Sequence, residues 1–193
     1  MKKLLLLLLC VPLIGVGQTL ITDANFEQAL INLGYDTGTP NGSVPTANID
    51  TLTFLDVSSQ NISDLTGIED FTNLTDLECD SNQLTSLDVS QNTYLDWLEC
   101  YSNQLTSLDL SGASYLTTLE CWNNQLTSLD VSNNSDLNYL NCGTNNLSNL
   151  DVTQNDSLRA LYCSNNQLTT LDVSNNIFLE GLNCSNNLLS SID

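Results

Sequence analysis

From residue 74 onward, apolar residues return at the same positions of a unit that is 21 residues long. The first unit shows the set, which is Leu74, Leu77, Cys79, Leu84, Leu87 and Val89. Leu77 and Cys79 alternate with polar residues, which is the period of a β-strand. A fixed period of this length predicts a solenoid with one unit per turn. A single turn cannot bury its own apolar set, whereas stacked turns bury a continuous core.

Cysteine and asparagine mark the period most clearly. The cysteines fall 21 residues apart, at Cys79, Cys100, Cys121, Cys142, Cys163 and Cys184. An asparagine follows each of them by three residues, at Asn82, Asn103, Asn124, Asn145, Asn166 and Asn187. We predict a buried line of reduced thiols rather than disulfides, because parallel Cβ vectors hold neighbouring Cβ atoms beyond the usual separation of about 3.5–4.5 Å. The amides are expected to hydrogen-bond the backbone of their own and the neighbouring turn.

The chain before the regular units predicts an N-terminal cap over residues 18–51. Apolar residues at helical spacing predict a helix over about residues 23–33, ending near Gly34. That apolar set is Phe26, Ala29, Leu30 and Leu33. Proline and glycine then indicate a loop over residues 35–48. The helix is expected to cover the open end of the first turn, since a solenoid exposes its core at each terminus.

The repeats are assigned to residues 52–193, beginning with a divergent turn over residues 52–73. In that turn, Leu55 and Val57 take the strand positions. The sixth regular unit begins at Leu179 and is incomplete. We interpret this as a truncated gene or a fragment of a longer protein.

The first 17 residues have the features of a cleavable signal peptide. A charged start is followed by an apolar stretch from Leu4 to Leu13, and small residues precede the expected cleavage before Gln18. The stretch is shorter than the roughly 20 residues that span a bilayer. Lipidation at Cys10 is disfavoured, because Leu9 stands where a small residue would be expected. We therefore expect a secreted or cell-surface protein without a membrane span in its mature chain.

The pattern L-x-x-L-x-C-x-x-N-x-L resembles the leucine-rich repeat, and the resemblance covers residues 52–193. A 21-residue unit with cysteine in its strand is similar to the cysteine-ladder internalins and related bacterial surface proteins. The resemblance implies a leucine-rich-repeat solenoid of the α/β-type repeat superfamily, here mostly β-strand and loop. One parallel sheet would contain one short strand per turn, behind an N-terminal helical cap.

The charge of the chain excludes several classes of function. Acidic residues number 23 against three Lys and Arg, and there is no His. Removal of the signal peptide would leave Arg159 as the remaining cation. Nucleic-acid binding needs cations for the phosphates, and histidine-dependent catalysis or metal binding needs imidazole. Only carboxylate chemistry remains, and we expect no cofactor.

The residues that flank the inward leucine and cysteine form three outward columns, rich in aromatic and acidic side chains. The predicted ligand contacts are Trp97, Tyr101, Trp122, Tyr139, Tyr162, Glu78, Glu99 and Glu120. Aromatic residues are enriched at interfaces, and the glutamates would favour a basic partner surface. Trp122 is expected directly beneath Tyr101, one turn along the same column. The alternative is that these are ordinary solvated strand positions, favoured by β-propensity.

The sequence gives weaker support to two other activities, carboxylate catalysis and calcium binding. The glutamates would be about 4.8 Å apart, close to the carboxylate separation of retaining glycosidases, but an open sheet has no cleft to raise one pKa. We therefore predict that the chain is not an enzyme.

Asp130, Asn134 and Asp136 resemble an oxygen-rich calcium loop, without the glycine and distal glutamate of the EF-hand. We favour a backbone-tethering role for the aspartate column Asp88, Asp109, Asp130, Asp151, Asp172 and Asp193.

Two functions of different classes fit these observations. The first is a secreted or cell-surface module that recognises a protein or carbohydrate through its aromatic and acidic strand face. The second is a structural spacer or adhesin stalk whose recognition or anchoring region is missing at the C-terminal side. Replacing the strand-face aromatics would abolish the activity of a binding module and leave a stalk unaffected.

Overall fold

The computed structural model describes residues 17–192, so the predicted signal peptide, apart from Gly17, and Asp193 lie outside the described residues. Within that range there are one α-helix, α1 (Ala24–Asn32), and two 3-10 helices, Thr46–Asn48 and Ile68–Asp70. The strands are β1 (Gln18–Leu20), β2 (Ser43–Pro45), β3 (Phe54–Asp56), β4 (Asp76–Glu78), β5 (Ser86–Asp88), β6 (Trp97–Glu99), β7 (Ser107–Asp109), β8 (Thr118–Glu120), β9 (Tyr139–Asn141), β10 (Ala160–Tyr162) and β11 (Gly181–Asn183). No helix in this range is long and apolar enough to cross a membrane.

Seven strands form one parallel sheet along the described part of the solenoid, in the order β3-β4-β6-β8-β9-β10-β11. Equivalent repeat positions lie side by side, so that Leu98 pairs with Leu77 on one neighbouring strand and with Leu119 on the other. This register keeps every inward leucine inward, because a shift of one residue would turn it towards solvent. The predicted leucine-rich-repeat solenoid with one sheet strand per turn is confirmed.

A second, smaller parallel sheet was not predicted. Strands β5 and β7 belong to the Ser-Leu-Asp segments of two successive turns, and they pair Leu87 with Leu108. The other regular turns carry a similar segment without an assigned strand there. Three residues are too short a segment for sequence periodicity to separate a strand from an extended loop.

The apolar set of the repeat fills the interior. Leu74, Leu77, Cys79, Leu84 and Val89 are fully buried, and the core continues from the N-terminal cap to Leu171. Burial decreases in the last described turn, where Leu182 is 40% exposed and Leu188 is 67% exposed. That turn packs against a described neighbour on one side alone, which explains the difference.

The cysteines form the predicted line inside the solenoid. The first five are free and buried, from Cys79 to Cys163, whereas Cys184 in the last turn is free but only partly buried. The prediction of a fully buried line is therefore wrong for Cys184. Burial raises the pKa of the Cys121 thiol well above its ordinary value, and it raises the pKa of Cys163 to about 12. These thiols pack as small apolar groups and are poor nucleophiles.

Cys184 is expected to react with a thiol reagent in the native protein, whereas Cys121 reacts only after unfolding. Accessibility differs between the two sites, and the raised pKa of Cys121 further reduces its thiolate fraction. Brief iodoacetamide treatment followed by peptide mass spectrometry measures both sites in one sample. Equal labelling of the two cysteines under native conditions would contradict the buried ladder.

The asparagine after each cysteine joins adjacent turns. The Asn124 Nδ2 atom donates to the carbonyls of Cys100 and Cys121, at 3.0 and 3.1 Å, while its Oδ1 atom accepts from Leu105 N at 2.9 Å. The same pattern recurs at Asn82, Asn103, Asn145, Asn166 and Asn187. The predicted bonds to the amide's own turn and to the neighbouring turn are confirmed.

A second buried row of asparagines was missed in the sequence. Its members are Asn92, Asn134, Asn155 and Asn176. Asn155 Nδ2, for example, donates to the carbonyls of Val131 and Asn134 in the preceding turn. Ala113 occupies this position in one turn. The spacing of 21 residues was visible in the sequence, but nothing there distinguished these inward amides from exposed neighbours.

The N-terminal cap is fixed to the first turn through Asp23. Its Oδ1 atom accepts from the backbone of Asn25 and Phe26 at the start of α1, and its Oδ2 atom accepts from the backbone and hydroxyl of Ser63. One carboxylate thus caps the helix and anchors it on the solenoid. The Phe26 ring stacks on Phe71, with ring centroids 6.2 Å apart.

Two details of the cap differ from the prediction. Leu33 is 46% exposed and follows the helix, which ends at Asn32, so it does not join the core. Part of the predicted loop is the strand β2, which pairs antiparallel with β1 and buries Val44. This pairing depends on a contact between segments far apart in sequence, so local periodicity did not show it.

Candidate functional site

The eight predicted contact residues lie on the outward side of the seven-stranded sheet, which we call the strand face. The sheet register aligns Glu78, Glu99 and Glu120 in one column, which continues through Asn141 and Tyr162. Trp97 is exposed, and the other seven residues are half-buried. The repeat therefore places all eight side chains on one continuous surface.

An aromatic stack lies at the centre of the strand face. The rings of Tyr101 and Trp122 are nearly parallel, at 7°, with centroids 4.6 Å apart, which confirms their predicted arrangement. Glu120 accepts a hydrogen bond from Trp122 Nε1, and Glu99 accepts one from Trp97 Nε1, both at 2.9 Å. These bonds hold both indole rings in fixed orientations on the sheet.

Tyrosines continue this surface towards the C-terminal turns. Tyr139 and Tyr162 lie with ring centroids 5.6 Å apart, at an angle of 53°. Burial, together with the nearby carboxylate of Glu120, raises the pKa of Tyr139 to about 12. Burial and Asp80 likewise raise the pKa of Tyr101 to about 12. Both phenols therefore remain neutral hydrogen-bond donors at physiological pH.

Glu78 has the least compensated carboxylate of the strand face. Among the described residues, no side chain or backbone group donates a hydrogen bond to it. Burial raises its pKa, and so do the neighbouring carboxylates of Asp56, Glu99, Asp80 and Asp76. Both effects therefore oppose ionisation of Glu78 in the folded chain.

Glu78→Gln is expected to stabilise the fold at pH 7 and to have a smaller effect near pH 3. Because the folded pKa of Glu78 is raised, its contribution to stability is full below the unfolded pKa and is lost as pH rises through the folded pKa. Glutamine removes that loss. The measurement is the free energy of unfolding from denaturant melts of both proteins at the two pH values.

Asp109→Asn is the matched control, with the opposite expected sign. Hydrogen bonds from Ser111 lower the pKa of Asp109, so its ionised form stabilises the fold above the unfolded pKa and loses that contribution on acidification. The asparagine variant should therefore be less stable than wild type at pH 7. A stability change of the same sign in both variants would contradict the assignment.

Sequence reasoning missed two residues at the N-terminal end of the strand face. Phe54, which is 51% exposed, pairs with Asp76, and Asp56 pairs with Glu78. Both lie in the divergent first turn. Because Leu55 was already assigned inward there, its two neighbours could have been added to the outward columns.

Another exposed aromatic pair was also missed. Tyr94 and Tyr115 stack with ring centroids 6.5 Å apart, at 10°, and are 55% and 58% exposed. They precede β6 and β8 along the chain, outside the outward columns. Their spacing of 21 residues is the signal that could have found them.

The aspartate column makes local backbone contacts in the turns described. Asp109 Oδ1 accepts from Ser111 N and Asp130 Oδ1 from Ser132 N, at 2.9 and 3.0 Å. The three residues of the possible calcium loop do not converge. Asn134 is fully buried, with its amide nitrogen 2.7 Å from the Ala113 carbonyl, whereas Asp130 and Asp136 are exposed. In residues 17–192, no group of three or more acidic or cysteine side chains is placed to hold a metal ion.

Comparison with known proteins finds solved structures of similar architecture. No family model matches the chain. The functional domain of internalin J from Listeria monocytogenes, which includes a cysteine ladder, is similar to it with 34% identity and a TM-score of 0.60. This chain has the leucine-rich-repeat fold and, like that domain, a cysteine ladder. That similarity covers 91% of this chain and 49% of the solved domain.

Two further comparisons support the leucine-rich-repeat architecture. The sequence of internalin J from Listeria monocytogenes serotype 4b is 56% identical over 43 residues, which are 22% of this chain and 5% of that protein. A leucine-rich-repeat protein of Leptospira interrogans is 29% identical, with a TM-score of 0.70, over 75% of this chain and 40% of that structure. The chain therefore spans half or less of the length of these relatives.

Proposed function

We propose that this chain is a non-enzymatic recognition module, exported to the cell surface or the medium, that binds a protein or carbohydrate through its strand face. The observation that carries the proposal is the ordered aromatic stack of Tyr101 and Trp122, beside the exposed Trp97. Aromatic side chains in such clusters supply rigid contact area with a polar edge.

The contrast between frame and face supports a binding role. The inward position is leucine on every strand of the long sheet, as at Leu98, Leu119 and Leu140. The outward position beside it changes from glutamate at Glu120 to tyrosine at Tyr162. A surface that differs from turn to turn on a constant frame suits recognition of one shaped partner better than it suits a uniform spacer.

Pre-organisation of the indole rings also supports it. Hydrogen bonds to Glu99 and Glu120 fix Trp97 and Trp122 before any partner arrives. Side chains that are already ordered lose less conformational entropy on binding. In internalin J, the solved region with a cysteine ladder is that protein's functional domain, which agrees with a functional role for these repeats here.

Trp122→Ala is expected to weaken partner binding by at least about 2 kcal/mol, because it removes the central ring of the stack. Stability should change little, since the side chain packs outside the core. Wild type and variant are compared on a glycan array and on a panel of extracellular protein domains.

Asp109→Ala is the control, because Asp109 lies in the aspartate column, away from the strand face, and it should retain all binding. If Trp122→Ala retains every ligand that wild type captures, the strand face is not the binding site. The structural spacer would then replace the recognition module as the preferred function.

A further inference from the structure

The negative charge of the strand face is concentrated in its N-terminal turns. The acidic residues of the three outward columns are Asp56, Asp76, Glu78, Asp80, Glu99 and Glu120. From β9 onward the equivalent positions are uncharged, as at Asn141 and Tyr162. The partner surface should therefore be charged at one end and neutral at the other.

No cation of the described chain compensates this charge. Arg159 is the single Lys or Arg within residues 17–192, and it pairs with Glu180 at 2.6 Å. Arg159 precedes β10, in the neutral part of the array. Residues 17–192 therefore leave this charge to be balanced by solvent ions or by a partner.

Glu78 differs from the other carboxylates of this acidic end in its hydrogen bonds. Its neighbours each accept at least one hydrogen bond from the protein: Asp76 from Thr75, Asp80 from Ser81 and Glu99 from Trp97. Glu78 accepts none from the described residues. Its two carboxylate oxygens thus remain available to an external donor, at a position surrounded by acceptors.

Aromatic rings border the same position. Trp97 pairs with Asp76 on the adjacent strand, and Tyr101 occupies the position equivalent to Asp80 in the adjacent turn. A planar guanidinium suits a carboxylate that lies beside aromatic rings. It donates two parallel hydrogen bonds to the carboxylate and stacks on the rings. Lysine supplies only a point charge, and a neutral sugar supplies none.

We infer that the acidic end of the strand face binds an arginine-bearing segment of a protein partner, with a guanidinium donating to Glu78 and packing beside Trp97 and Tyr101. This rests on the proposed function, whose binding face it uses. The neutral tyrosine end, with Tyr139 and Tyr162, contacts the uncharged remainder of the same partner.

The two tryptophans of the chain, Trp97 and Trp122, both lie on this face, so intrinsic fluorescence reports binding there directly. The probe is the blocked peptide acetyl-Arg-Gly-Arg-Gly-Arg-amide, titrated at fixed ionic strength. Its matched control has citrulline, a neutral isostere, in place of arginine. We expect a saturable fluorescence change with the arginine peptide and none with the citrulline peptide.

A charge-matched pair of variants separates the site from the overall acidity of the chain. The first carries Asp76→Asn, Glu78→Gln and Glu99→Gln, and the second carries Asp109→Asn, Asp130→Asn and Asp172→Asn. Both remove three negative charges, and the first also relieves repulsion around Glu78, so it should remain folded. We expect about tenfold weaker peptide binding in the first and less than about twofold in the second, as for three lost exposed ion pairs.

Equal weakening in both triple variants would overturn the inference, because it would indicate attraction to the total charge. A fluorescence change with cellohexaose but not with the arginine peptide would also overturn it, while leaving the proposed binding face intact. Failure of the proposed function itself is recognised separately, by retention of every ligand in Trp122→Ala.

Discussion

Leu119→Ala is expected to lower the free energy of unfolding by about 2–5 kcal/mol, the range for a buried leucine truncated in a rigid core. Leu119 is fully buried at the middle of the long sheet, between Leu98 and Leu140 on the adjacent strands. The cavity would face ordered turns on both sides, so it has little room to collapse. Urea melts monitored by circular dichroism measure the loss.

Leu182→Ala is the matched control at the same repeat position. Leu182 is 40% exposed and has a neighbouring strand on one side within the described chain. Its truncation should cost distinctly less than that of Leu119. Equal losses at the two sites would show that burial in the array does not govern core stability.

Asn124→Ala is expected to cost about 1–3 kcal/mol, because it leaves the buried backbone N–H of Leu105 without its acceptor. The carbonyls of Cys100 and Cys121 would each lose one of two amide donors and keep the bond from Asn103 or Asn145. Each unsatisfied buried group costs about 1–3 kcal/mol. The effect should appear in the same urea melts.

Asn133→Ala provides the control for Asn124→Ala. Asn133 is exposed and forms no side-chain hydrogen bond within the described residues, so its loss should change stability by less than about 0.5 kcal/mol. If both asparagine variants behaved alike, the ladder amides would not join the turns energetically. A large loss at Asn124 alone would show that each turn depends on the side chain of the next.

The sequence by itself determined the frame of the molecule. The 21-residue recurrence of Leu77, Cys79 and Asn82 predicted the number of residues per turn, the inward direction of the leucines and cysteines, and ladder amides that bond the backbone of their own and the neighbouring turn. It did so because every turn packs on its neighbours through the same contacts, so that one local pattern defines the whole array. The columns of the strand face followed from the same arithmetic, including the stack of Tyr101 on Trp122.

The tertiary structure alone decided the features that join unlike segments. The pairing of β1 with β2, and the bonds that Ser63 donates to Asp23, connect residues 23 to 40 positions apart without any repeat to indicate them. Asp76, Asp80 and Glu99 each accept a hydrogen bond, whereas Glu78 accepts none from the described residues. This contrast likewise depends on where the donors lie in the folded chain. Hydrogen-bond donors are assigned by distance and angle rather than by spacing in sequence, so the distinction between Glu78 and its acidic neighbours appeared only in the folded chain.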